Sequence, residues 1–169
     1  MRIGLLGCSP LPNSGQQVTN FAQLRTWSIL NFLKNQDIDV EPFLLSDRAS
    51  SQGWNVYDTK TMGALEDFCT GIDIVVTAGP FLPSLVLDAI PNNIPIWLDW
   101  PSDPLADLHA KRLVQQTSTS DEAIVQEIVR RAFSKADAIG VISQRQAWVT
   151  LGQLLLLSAE EIPISVTPI

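Results

Sequence analysis

The sequence predicts an α/β domain built on an open, doubly wound parallel sheet with helices on both faces. Three observations carry that expectation. Short apolar runs recur at residues 2–7, 38–45, 73–77, 94–98, 138–142 and 164–167. Most are near-continuous rather than alternating, as strands buried on both faces are. Segments with helical apolar spacing separate them, and that alternation gives a parallel sheet under covering helices. Right-handed crossovers then bring the strand carboxyl ends to one edge, where a site is expected.

Bulk properties narrow the function classes. The 169 residues are 46% hydrophobic and 17% charged, a globular composition long enough for a real core, and they read as one domain, 1–169, without a linker. The net charge of -7 argues against nucleic acid or an anionic membrane surface, because neutralising phosphates needs clustered Lys and Arg. The basic pairs Lys111-Arg112 and Arg130-Arg131 read as solvated helix faces. Cys8 and Cys69 have neither metal-ligand spacing nor a disulfide pattern, so a reduced, cytoplasmic chain without a metal is expected. Residues 1–8 superficially resemble a lipoprotein cleavage box. Their apolar stretch is shorter than the roughly 7–15 residues of a signal core, and they read as the first strand. No apolar run approaches the roughly 18 residues of an integral membrane segment.

Taken in order, the first strand breaks into Cys8-Ser9-Pro10-Leu11-Pro12-Asn13-Ser14-Gly15, a loop of turn formers. A helix over 17–35 follows, with Val18, Phe21, Ala22, Ile29, Phe32 and Leu33 as its core stripe. Arg25 falls inside that stripe, either as a long side chain that reaches a carboxylate or as a buried arginine facing the site. Pro42 in the second strand marks a sheet edge. Residues 46–60 form a polar loop carrying Trp54 and Tyr57. Helices over 61–70 and 82–90 flank the third strand. After the fourth, Asp99-Trp100-Pro101-Ser102-Asp103-Pro104 forms a loop leading into a helix over 105–116. Thr119 and Glu122 then make a capping box for a helix whose face is Ile124, Val125, Ile128, Val129, Ala132 and Phe133. The fifth strand runs into a helix over 143–157.

The motifs exclude more than they assign. The fingerprint G-x-G-x-x-G is absent, since Gly4 and Gly7 have the wrong spacing, and no acid stands about 20 residues on. Phosphate-loop and nucleophile-elbow patterns are also absent, and no cofactor is expected. Gly15-Gln16-Gln17 stands at a helix start, where free N–H groups can hold an anion. Asp99 and Asp103 could supply acid/base or hydroxyl-binding carboxylates, with helix capping the simpler role for Asp103 ahead of Pro104. Ser143 reads as a helix cap, and Arg145 beside it can contact a phosphate or carboxylate.

Three stretches together resemble one family. They are the Pro-rich, Gly15-containing loop with its long helix; Gly71-Ile72-Asp73-Ile74-Val75-Val76; and Ala136-Asp137-Ala138-Ile139-Gly140-Val141-Ile142-Ser143-Gln144-Arg145-Gln146. The order resembles the Rossmann-like N-terminal half of GT-B fold glycosyltransferases, in particular the group 1, family-4-like enzymes. The second stretch is similar to their (A/G)-D-I-V strand and the third to their A-D…S-x-x-Q segment. The resemblance implies an acceptor-binding domain, with the nucleotide-sugar donor held mainly by a C-terminal domain that carries paired glutamates. Pro168-Ile169 resembles the turn into the interdomain linker, so the chain is expected to end at the domain boundary. On this reading Gly15 and Gln16 offer backbone donors, Asp99 meets an acceptor hydroxyl as the catalytic candidate, and Asp103, Ser143 and Arg145 line the cleft. The acceptor is a glycan or small molecule. Many relatives carry a histidine after the fourth strand, where this chain has Asp99 and Asp103. The alternatives are a stand-alone flavodoxin-like or Rossmann-like binding domain, or a non-catalytic interaction module using the apolar Leu154-Leu155-Leu156-Leu157.

Overall fold

The computed structural model describes residues 1–9, 21–46, 59–79, 84–115, 120–157 and 165–168. Strands β1 (Arg2–Ser9), β2 (Asp39–Ser46), β3 (Ile74–Thr77), β4 (Ile96–Trp100), β5 (Ala138–Val141) and β6 (Ser165–Pro168) form one open sheet in the order β2-β1-β3-β4-β5-β6. Every pairing is parallel. Helices α1 (Phe21–Asn35), α2 (Thr59–Phe68), α3 (Ser84–Asp88), α4 (Pro104–Gln115), α5 (Ser120–Lys135) and α6 (Gln144–Leu157) alternate with the strands, so the Rossmann-like α/β architecture expected from the sequence is present. β2 with Pro42 is an edge strand, as that proline indicated, and β6 with Pro168 is the other.

The chain steps one way from β1 to β2 and the other way at every later crossover. Constant right-handedness therefore puts α1 on one face and the later helices on the other. On the first face, Ile29, Leu30 and Leu33 of α1 pack on Ile3, Leu5, Val76 and Ala78. On the second, Leu6, Val75, Ile96, Leu98, Ile139 and Val141 lie under Leu65, Phe68, Leu87, Val129, Phe133 and Leu154. Trp100 is wholly buried there, tilted against Phe133 with ring centroids 5.0 Å apart. Among the described residues no helix covers the β4–β6 half of the α1 face, and Trp97 on it is 38% exposed.

Two glycines set the layer spacing. A Cβ on Gly7 would overlap the Thr26 side chain, which is fully buried and donates its hydroxyl to Ala22 O at 2.8 Å. A Cβ on Gly4 would come within 2.8 Å of the Phe68 ring on the opposite face. Gly7 thus lets α1 lie close on β1, and Gly4 does the same for α2.

The amino edge of the sheet is pinned by two matching aspartates. Asp73 N donates to Arg2 O at 2.9 Å, and Arg2 N returns a bond to Asp73 Oδ2 at 2.6 Å. Asp137 N donates to Ile96 O at 2.9 Å, and Ile96 N donates to Asp137 Oδ2 at 2.8 Å. Each aspartate extends a strand pair by one reciprocal pair of bonds, joining β3 to β1 and β5 to β4. The aspartates of the two most family-like motifs therefore perform strand registration at the edge opposite the site.

Two sequence expectations are corrected. β4 begins at Ile96, two residues later than expected, because Ile94 N closes a turn onto Pro91 O at 3.0 Å. Asp99 is consequently inside the strand and not on a loop. The α1 stripe is met in part: Ile29 and Leu33 pack on the core as expected, whereas Phe21 and Phe32 are exposed and Gln23, Thr26 and Leu30 are the buried positions. Close seating over Gly7 requires the small Thr26 at the contact, which leaves Phe21 and Phe32 outside the packed core, Phe32 at the edge of the sheet face.

These contacts set the cost of single substitutions. Gly7→Ala overpacks the α1–β1 contact and costs about 1–3 kcal/mol in urea unfolding. Adding Thr26→Ala recovers part of that loss, so the two changes are non-additive. Asp73→Ala and Asp137→Ala each remove a carboxylate that accepts a strand N–H, and because both residues are exposed each costs about 1 kcal/mol. No loss for either variant would contradict the clamp as described.

Candidate functional site

Along α1, Arg25, Ser28, Ile29, Phe32 and Leu33 recur at i, i+3, i+4, i+7 and i+8, so they form one stripe down the helix. Register places Ile3, Val76, Trp97 and Asp99 on the sheet face beside it. Together they line a groove of about 350 Å³ between α1 and the bare half of the sheet. That volume falls within the range of small-molecule sites, about 300–1,000 Å³. Six of its lining side chains are apolar (Ile3, Ile29, Phe32, Leu33, Val76 and Trp97), and the polar ones are Arg25, Ser28 and Asp99. Arg25 lies in the second turn of α1 and Asp99 is the penultimate residue of β4, so the polar end of the groove faces the carboxyl edge of the sheet.

Arg25 and Asp99 form a two-point ion pair. Nε donates to Oδ2 at 2.8 Å and Nη2 to Oδ1 at 2.7 Å. The Asp99 side chain is 4% exposed and that of Arg25 26%. The Asp99 backbone N–H donates to Thr77 Oγ1 at 3.3 Å, fixing β4 against β3 at the same level. The hydrogen bonds to Asp99 raise the Arg25 pKa above its ordinary value; burial opposes them and Coulomb attraction adds to them. The guanidinium and the carboxylate thus compensate one another at two points. Both Asp99 oxygens are engaged, while the guanidinium has five N–H groups and the two bonds use two of them. The arrangement can donate hydrogen bonds to a neutral oxygen, such as a hydroxyl or carbonyl, at the end of an apolar slot.

The other sequence-selected residues divide clearly. Asp103 caps α4: its Oδ1 accepts from Leu105 N at 3.0 Å and Ala106 N at 3.3 Å, and its Oδ2 accepts from Gln153 Nε2 at 2.8 Å. Ser143 caps α6, with Oγ accepting from Gln146 N at 3.2 Å. Arg145 is exposed on the first turn of α6. Gly15 and Gln16 lie outside the described residues, as does Thr119 of the expected capping box. His109 stands 3.5 Å from Glu122, which also binds Arg112, so it belongs to the α4–α5 surface. Arg130 and Arg131 both pair with Glu127, as solvated basic residues do. Cys69 is a buried free thiol whose pKa is raised by desolvation.

Gln146 has a role that sequence reasoning did not assign. Its Oε1 accepts from Ile142 N at 3.1 Å and its Nε2 donates to Trp100 O at 2.8 Å. One side chain thus ties the end of β4 to the turn leaving β5 and holds the carboxyl rim. The available signal was the S-x-x-Q spacing itself, a capping-box pattern whose glutamine can reach back over the helix start. Among the described residues no group of three or more His, Cys, Asp or Glu side chains is placed to hold a metal ion, and no helix is long and apolar enough to cross a membrane.

The unequal exposure of the two partners predicts an unequal response to mutation. Arg25→Met leaves a nearly inaccessible carboxylate without its counter-ion and costs about 3 kcal/mol. Asp99→Asn leaves a guanidinium that can turn toward water, and costs about 1–2 kcal/mol. The double variant Arg25→Met with Asp99→Leu is more stable than Arg25→Met alone, because it removes the orphaned charge. Chemical denaturation of the three variants measures this order.

No protein-family model matches the sequence, and no curated protein matches it.

Proposed function

We propose that the chain is the acceptor-binding half of a nucleotide-sugar-dependent glycosyltransferase. The observation that supports this reading most is the groove beside α1, whose apolar length ends in Arg25 and Asp99 toward the carboxyl edge. An acceptor with an apolar body and a hydroxyl fits those two environments. In this scheme Arg25 donates to the acceptor oxygen and Asp99 positions Arg25. Arg145, exposed beyond β5, serves the rim where a donor-carrying partner domain closes. Sugar transfer requires that second domain. A stand-alone small-molecule binder is the second reading, favoured by the strand order: the switch point lies between β1 and β3, as in flavodoxin-like sheets.

The test uses short alkyl glycosides below their micelle concentration, titrated into the purified chain while the Trp97 indole N–H signal, assigned among those of the five tryptophans, is followed by NMR. They are expected to bind and to shift that signal, and Phe32→Asp is expected to weaken binding about tenfold. A nucleotide sugar alone is expected to bind weakly, and the 169-residue chain is expected to transfer none of it. Turnover by this chain alone would refute the half-enzyme reading. Tight mononucleotide binding that moves amide signals at the ends of β1 and β3, with Trp97 unaffected, would favour the second reading.

A further inference from the structure

α6 carries a second apolar surface, unrelated to the groove. Its inner side, with Ala147, Thr150 and Leu154, is buried against the body of the domain. Its outer side presents Trp148 (67% exposed), Val149, Gly152, Leu155 (81%) and Leu156 (87%). These positions lie at −4, −3, 0, +3 and +4 around Gly152, one continuous stripe of a helix. Contiguous exposed apolar surface of this kind is uncommon on monomers and marks interaction sites.

Three features say what covers it. First, Gly152 weakens the helix relative to alanine, yet among the described residues a Cβ there would meet nothing within 4 Å. No contact among the described residues requires a glycine there, and its lack of a side chain leaves the backbone open to close approach. Gly63 in α2 has equal space, but Glu66 and Asp67, three and four residues on, are exposed charges. Second, the stripe is self-complementary. Any helical stripe is symmetric in position about its centre; this one is also symmetric in chemistry, with bulky apolar groups on both sides of a glycine. In an antiparallel pair related by a two-fold axis at Gly152, Trp148 meets Leu156 of the mate, Val149 meets Leu155, and the backbones approach at the glycines. Third, residues 146–157 contain no charged side chain, in a chain of net charge -7. This helix face is where two copies meet with little like-charge repulsion.

We propose that a second copy of this chain docks on α6, forming an antiparallel helix pair centred on Gly152. The interface is small, with five stripe positions a side against the roughly 20–30 residues a side of a standard interface. It therefore gives a concentration-dependent dimer.

Sedimentation equilibrium of the intact chain tests this. Self-association to a dimer is expected below about 1 mM, undiminished by added salt. Trp148→Lys and Leu156→Glu each lie on the exposed side, so circular dichroism should be unchanged, and each alone should weaken association at least tenfold. Mixing those two variants should restore a heterodimer, since the introduced lysine of one copy then faces the introduced glutamate of the other. Gly152→Leu should raise the urea midpoint of the monomer while abolishing the dimer. A chain that stays monomeric throughout, or a mixture of the two charge variants that fails to associate, overturns the proposal. So does a dimer that survives Gly152→Leu.

Discussion

A two-point ion pair joins the first helix to the fourth strand, and the geometry of the candidate site depends on it. α1 rests on β1 and its neighbours through apolar contacts and through the close approach at Gly7. Its reach toward β4 is polar: Arg25 crosses to Asp99, 74 residues away in sequence. Such a pair contributes little net stability against an apolar replacement but a great deal of orientation, because a buried carboxylate accepts few alternative partners. The helix is thus held at a fixed distance from a bare strip of sheet, and that distance is the width of the groove.

The two ends of the sheet are built differently. At the amino edge, Asp73 and Asp137 close strand pairs with reciprocal backbone bonds. At the carboxyl edge, Asp103, Ser143 and Gln146 commit their side chains to helix starts and to Trp100 O. Much of what makes the sequence look like an enzyme family is therefore explained by folding. Motifs of this kind report an architecture faithfully, and chemistry only where a side chain is left over. Among the described residues of the carboxyl side, Arg25 and Arg145 are cations with donors still to offer.

The sheet was legible because buried parallel strands are short, apolar and bounded by turn formers, and Pro42 marked an edge correctly. Helix existence was legible too, most clearly for α5. The frame of β4 was not, because Ile94 and Pro95 continue the apolar run while belonging to a turn; two residues of slip moved Asp99 from loop to strand. The orientation of α1 was hidden for another reason. Phe21, Leu24, Trp27 and Phe32 put apolar groups around the helix, so periodicity alone does not choose a face. Arg25 stood out as misplaced, but its partner is set by a crossover that no local pattern records. The Gly15 and Gln16 loop lies outside the described residues.

The prolines at the two margins of the sheet have a consequence for how the molecule meets others. Pro42 sits in β2 opposite Leu5, and Pro168 sits in β6 opposite Val141. Each removes a backbone donor from a strand whose outer side has no neighbouring strand among the described residues, so neither margin offers a full ladder for another strand to extend. Growth of the sheet from chain to chain, the common route to fibrous aggregation, is blunted at both ends. Encounters with other molecules are left to side-chain surfaces, where shape and charge can discriminate among partners.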